Sequence, residues 1–228
     1  MKDAINAPRA RCGRVFVWAV AVVLGWGPQA PAADFEYWPK VFVRVPLDRE
    51  KRWQLSLEEW LSFNDGARRF KDSQTDVWLY YFGLADWLSV GAGYKRVYAR
   101  PGGDWQTEDR PMFDVAVKTK VHGFGVVDRS RFEFRFQEDR DCVTRYRNRL
   151  NIVSPVTFTP LKIEPYVAEE TFLNFDAQGF NQQRFYGGVF LPLHEKIRLD
   201  LFYLWKLDKV DGDWHGTNVL GTWIYFQF

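Results

Sequence analysis

Arg145, Arg147 and Arg149, in the stretch TRYRNRL, are the residues of this sequence best arranged to do chemistry. On an extended chain successive side chains point to opposite faces, so the three guanidiniums share one face of a single strand. Arg131, Arg135 and Arg184 sit on neighbouring segments, together with Glu133, Glu164 and Glu170. Such a set does one of two things. Paired off, it is a network of ion pairs that stiffens an enclosed space. With cations left over, it is a constriction whose positive potential favours anions. The rest of the chain offers less. His122, His194 and His215 share no metal-ligand spacing, and neither an HExxH arrangement nor a nucleophile elbow occurs. No metal or cofactor is expected. His215 with Asp211 or Asp213 as base and orienter, and Ser73 as nucleophile, would be the rim constellation of an outer-membrane lipid hydrolase, the alternative function.

The elements that must hold the arginines have a period of two. In RSRFEFRFQ, Phe132, Phe134 and Phe136 take one face and Arg131, Glu133 and Arg135 the other. In KIRLDLFYLW, Ile197, Leu199, Leu201, Tyr203 and Trp205 share a face. RWQLSLEEWLSF keeps the pattern except for Glu59, which falls in the apolar row. About eleven such segments can be drawn between residues 35 and 228, most of them longer than the ~5–6 residues of an ordinary strand and long enough to cross a bilayer at a tilt. Tight connections (LDREK, GLADW, GFGVVD, SPVTFTP, PLHE) alternate with longer polar ones (DGARRFKDSQ, ARPGGDWQTEDR, NFDAQGFN, DKVDGDWHG), with QED too short for its place. The expectation is an all-β, antiparallel transmembrane β-barrel of about 10–12 strands, with short periplasmic turns and longer extracellular loops. Because single-chain bacterial barrels have even strand numbers, ten or twelve is expected rather than eleven, with both termini periplasmic.

The two ends of the chain point to the same location. Lys2, Arg9, Arg11 and Arg14 precede the apolar run VFVWAVAVVLGWG, and the small residues Ala30, Ala32 and Ala33 follow it. That order predicts a cleavable secretory signal peptide over 1–33 and a barrel domain over 34–228. Removing the leader leaves 27 bases and 28 acids, so the +2 charge of the whole chain gives no support to nucleic-acid binding. The remaining cysteine, Cys142, can form no internal disulfide. The chain stops on GTWIYFQF, where Ile224, Phe226 and Phe228 share a face at spacing two. An aromatic, well-paired last strand suits a barrel that must leave no open edge in lipid, and resembles the terminal signal read by the bacterial barrel-assembly machinery. The expected setting is the Gram-negative outer membrane. The expected partners are its lipid, lipopolysaccharide and that machinery, with Arg68, Arg69 and Lys71 as a basic rim.

Beyond the class, Trp38 ahead of a strand, KRWQLSLEEW (51–60), RFEFRF (131–136), RYRNRL (145–150), EETFLN (169–174) and FNQQRFYGGV (180–189) carry a resemblance over the whole mature chain. It resembles a family of bacterial outer-membrane barrels designated domain of unknown function 2490. The resemblance implies the fold and the location, and brings no activity and no catalytic residues. The function expected is a structural barrel, or a narrow pore with a basic, ion-paired lumen.

Overall fold

The computed structural model describes residues 35–100, 103–138, 141–176 and 179–228. The leader over 1–33 and its cleavage site lie outside the described residues. The rest is a meander of eleven strands: β1 (Phe35–Pro46), β2 (Trp53–Asn64), β3 (Arg69–Ala85), β4 (Leu88–Ala99), β5 (Gln106–Val121), β6 (Phe124–Gln137), β7 (Val143–Val153), β8 (Glu164–Asn174), β9 (Phe180–His194), β10 (Ile197–Val210) and β11 (Asp213–Gln227). Each strand pairs antiparallel with the next, and β1 pairs with β11 to close the barrel. With every strand laddered to a neighbour on both sides, no open edge remains.

The even count expected from the sequence is corrected by this closure. A meander with an odd number of strands brings its first and last strands together in the same direction, and β1 and β11 are parallel from Phe35↔Asn218 to Arg44↔Gln227. All eleven segments are barrel strands. The expectation of two termini on one side fails with it, because the start of β1 and the end of β11 lie at opposite ends of the barrel. The end that carries Phe228 will be called the C-terminal end. There the Gln227 N–H donates to the Lys196 carbonyl at 2.8 Å and the Phe228 N–H to the Arg44 carbonyl at 3.1 Å, so the chain is zipped on both sides to its last residue.

The connections are shorter than the sequence suggested. Residues 86–87, 122–123, 195–196 and 211–212 are the only residues between their strands. Asp211 and Gly212 both have positive φ, as do His122 and Gly123, the backbone of a two-residue primed turn matched to strand twist. DKVDGDWHG is therefore not a long loop: its Asp-Gly pair turns the chain and both flanks stay in strands. DGARRFKDSQ likewise shrinks to a turn at 65–68, and the longest connection, 154–163, lies at the C-terminal end. At 47–52 the Asp48 carboxylate accepts the Trp53 N–H at 2.8 Å, which holds its pKa below the ordinary aspartate value.

Alternation sorts the side chains as the period predicts. Lys40, Glu58, Asp76, Lys95, Asp114, Arg131, Glu133, Glu170 and Asp200 are buried inside, while Val41, Leu57, Val77, Phe113, Phe132, Phe134, Leu201 and Leu220 stand exposed outside. Glu59 does face outward, and its two oxygens are satisfied by Ser73 Oγ at 3.0 Å and Thr75 Oγ1 at 2.6 Å on β3. A second outward carboxylate, Glu169, accepts bonds from Thr171 and Gln183. Interior space is limited, since about eight strands leave room only for side chains and 16–18 leave a channel. Trp38, Trp60, Tyr166, Tyr186, Phe202, Leu204 and Val219 fill one flank as an apolar cluster.

Phe202 lies flat over Gly221 of β11, where an added Cβ would fall within the ring. Gly221→Ala must displace a buried ring, and overpacking of this kind costs about 1–3 kcal/mol. Gly125, whose nearest neighbour to an added Cβ is Val153 at 3.7 Å, should accept alanine without loss. Urea titrations of the two variants in micelles check this, and equal midpoints would refute the packing assignment.

Candidate functional site in the barrel lumen

The in-facing charges form two regions. Toward the end where β1 starts, they close on one another in a ladder across five strands. Arg135 of β6 places Nε 2.6 Å from Glu108 of β5, which also takes Arg110 Nη2 at 2.9 Å and Gln137 Nε2 at 2.8 Å. Arg110 in turn lies 4.0 Å from Glu133. Glu133 accepts Arg145 Nε at 2.8 Å and Arg147 Nη1 at 2.6 Å. Arg147 bridges onward to Glu170 of β8 at 2.9 Å, and Glu170 gathers Arg129 at 2.9 Å, Arg184 at 3.6 Å and the Tyr186 hydroxyl at 2.9 Å. Glu133 and Glu170 are 0% and 1% exposed, so neither meets bulk water. Register explains the ladder: Glu133 lies opposite Arg145, and Glu170 lies opposite Arg149 on one side and Arg184 on the other.

Smaller sets lie beside the ladder. Asp114 and Arg131 form a two-pronged pair at 2.6 and 2.8 Å, with the guanidinium 4.2 Å over the Trp78 ring. Lys40 bridges Glu58 and Asp76, Lys95 joins Asp76, and Glu36 takes Lys71 at 2.8 Å and Lys206 at 3.2 Å. Lys71 is thereby drawn into the lumen and does not join Arg68 and Arg69 on the rim.

Toward the C-terminal end the pairing stops. Among the described residues Arg44, Arg149 and Arg198 have no carboxylate within 4.0 Å and lie instead on aromatic rings. Arg149 is 4.2 Å from the Tyr186 centroid, and Arg44 and Arg198 are 4.9 and 4.6 Å from that of Tyr225. Cavities of about 140, 440 and 180 Å³ share these residues and run from mid-lumen toward the C-terminal mouth.

Of the nine lumenal residues singled out from the sequence, Arg131, Glu133, Arg135, Arg145, Arg147, Glu170 and Arg184 have ion-pair partners in the structure. Arg149 faces the same lumen but stacks, and Glu164 lies at the start of β8, apart from the ladder. Glu108, Arg110 and Arg129 were missed. In QTEDRP both faces are polar, so alternation gave no inside; the clue was a Glu and an Arg at spacing two, the same signature as RFEFR. The assembly residues Ile224 and Phe226 pair with Leu199 and Ile197 on the outer surface, and Phe228 is 60% exposed.

The hydrolase constellation is not assembled. Ser73 Oγ donates to Glu59 on the outer surface of β3, and β1 and β2 separate it from His215 on β11, roughly 14 Å at ~4.8 Å per strand.

Residues 35–217 match the model of one protein family, described as protein of unknown function (DUF2490). The chain belongs to that family. No curated protein matches it. The closed barrel fits the fold the resemblance implied, and the DUF2490 match brings no reaction and no ligand to the lumen just described.

Proposed function

We propose that this DUF2490 chain is a bacterial outer-membrane barrel whose lumen is structural: a plug of ion pairs and aromatic rings built from the wall itself. The observation that carries the reading is the inversion of polarity. Carboxylates and guanidiniums are buried in the middle, while Val41, Leu57, Val77, Phe113, Phe134 and Leu220 are 41–47% exposed around the outside. Exposed apolar surface on that scale needs an apolar solvent. Three of the five connections at the C-terminal end are two-residue turns, although the ten-residue 154–163 lies there too; taking that end as periplasmic puts the exposed Arg68 and Arg69 at the outer leaflet, beside lipopolysaccharide phosphates. Ile224, Phe226 and Phe228 are then the segment presented to the barrel-assembly machinery.

The test has two parts. The expressed chain should fractionate with outer membranes as a heat-modifiable band, and Phe228→Asp should diminish that band several-fold. In planar bilayers the folded protein should conduct no steady current. Recovery as a detergent-free soluble monomer would remove the membrane assignment. A stable conductance with anion preference, abolished when Arg145, Arg147 and Arg149 are all changed to Gln, would replace the plug by a pore.

A further inference from the structure

The lumenal charges divide unevenly. Five cations, Arg44, Lys118, Arg129, Arg149 and Arg198, line the cavities of about 440 and 180 Å³ at the C-terminal end. The acids there are Asp114 and Asp200. Asp114 is held by the two-pronged bond to Arg131, and Asp200 accepts the Tyr166 hydroxyl at 2.8 Å. Arg129 spends one nitrogen on Glu170. Arg44, Arg149 and Arg198 have no ion-pair partner among the described residues, and Lys118 is likewise without one.

The geometry of these groups is that of a receptor for an anion. Tyr225 carries Arg44 and Arg198 each within 5 Å of its centroid, and Phe190 lies 4.6 Å from Arg198. Stacking engages the face of a guanidinium and fixes its plane. It leaves the in-plane N–H donors, which match phosphate or carboxylate edges. The Nε atoms of Arg44, Arg129 and Arg198 are buried with no acceptor among the described residues; those of Arg147 and Arg184 are too, but these two guanidiniums already hold carboxylates. Buried donors without acceptors are uncommon and ask for a reason. Gln54, Ser89 and Asn151 add neutral polar groups to the wall, and Phe82, Val127, Val153 and Phe190 add apolar surface. A volume near 440 Å³ is that of a small-molecule site.

We propose that the C-terminal half of the lumen is a binding site for a phosphomonoester dianion, held by Arg44, Arg149 and Arg198 with Lys118 at the mouth. A dianion suits this excess of cations better than a single carboxylate. The site adds a ligand to the barrel and does not depend on whether the lumen conducts.

Two sources of that chemistry are separable: a free phosphate compound entering from the aqueous mouth, or a lipid whose headgroup phosphate reaches in. The full chain folded in neutral micelles is titrated calorimetrically with glycerol 3-phosphate, and in a second arm with micelles doped with phosphatidic acid. Saturable binding in either arm, weakened at least tenfold by Arg44→Gln with Arg198→Gln, supports the proposal, and the arm that binds identifies the source. Arg198→Lys keeps the charge and loses the fork, and should weaken binding several-fold. Ala116→Leu reduces the cavity without touching a charge and should do the same, so the site remains testable should the double variant not fold. Absence of saturable binding in both arms, or binding that these substitutions leave unchanged, overturns it.

Discussion

Glu170→Ala should destabilise this barrel by about 3–5 kcal/mol, the range for removing one partner of a buried ionic group. Glu170 is 1% exposed and holds Arg129 and Arg147 at 2.9 Å, Arg184 at 3.6 Å and the Tyr186 hydroxyl at 2.9 Å. Its loss leaves Arg129 and Arg184 without their ion-pair carboxylate and Arg147 with one carboxylate instead of two, in a space too narrow for full hydration. Arg147 retains Glu133 at 2.6 Å, and Arg184 retains its stack on Phe172 at 4.5 Å, so the ladder is weakened rather than dissolved. Glu169 is the control one residue away. It faces outward and among the described residues accepts from Thr171 and Gln183, so Glu169→Ala should cost less than about 1.5 kcal/mol. The two are compared by urea-dependent unfolding from lipid vesicles, followed by tryptophan emission and the heat-modifiable band. Equal costs would mean that the ladder is not what fills the lumen. Glu170→Gln keeps the volume and should fall between them, because an amide still accepts from Tyr186 but cannot neutralise three cations.

What the sequence revealed of this ladder depended on contrast between faces. RFEFRF alternates aromatic and charged residues, so β6 and the inward direction of Arg131, Glu133 and Arg135 followed from period two alone. β5 starts QTEDRP, with Thr107 and Asp109 outside and Glu108 and Arg110 inside. Both faces are wet or ion-paired there, the alternation vanishes, and the segment reads as a polar loop. Arg129 opens RSRFEFRFQ on the face of Arg131 and Glu133, so the period places it; its bond to Glu170, forty-one residues away, is what the sequence does not show. Asp-Gly at 211–212 marks a primed turn in its own right and could have corrected the last loop. The strand number is legible as eleven in the period-two segments, against the even count usual for bacterial single-chain barrels. The parallel pairing of Phe35–Arg44 with Asn218–Gln227 is how the chain satisfies closure with an odd number. Periodicity placed Arg149 inside correctly. It could not tell stacking from pairing, because that depends on the Tyr186 and Trp223 rings, which arrive from strands far along the chain.

Leu199→Arg and Phe132→Arg should each cost about 2–4 kcal/mol where the residue lies near the bilayer midplane, falling toward about 1 near the interfaces. Both point outward. Leu199 lies between Leu191 and Ile224 in register, and Phe132 lies between Phe113 and Tyr146, so neither neighbourhood offers a carboxylate for the new charge. Gln137→Arg is the inward counterpart. Gln137 Nε2 already donates to Glu108 at 2.8 Å, and an arginine there meets a carboxylate shared with Arg110 and Arg135, with a loss nearer 1 kcal/mol. Glu59→Leu sharpens the comparison from the other side. It removes an outward carboxylate and leaves the hydroxyls of Ser73 and Thr75, which can turn to carbonyls of their own strand. The change should be within about 1 kcal/mol of neutral, with the apolar gain offsetting the lost bonds. Refolding titrations into vesicles measure all four. A barrel with its apolar face in lipid predicts the order Leu199→Arg and Phe132→Arg worst, then Gln137→Arg, then Glu59→Leu. In detergent-free buffer a soluble barrel would reverse the sense of the first two, since a surface arginine in water costs little, and that reversal would remove the bilayer from the account of this fold.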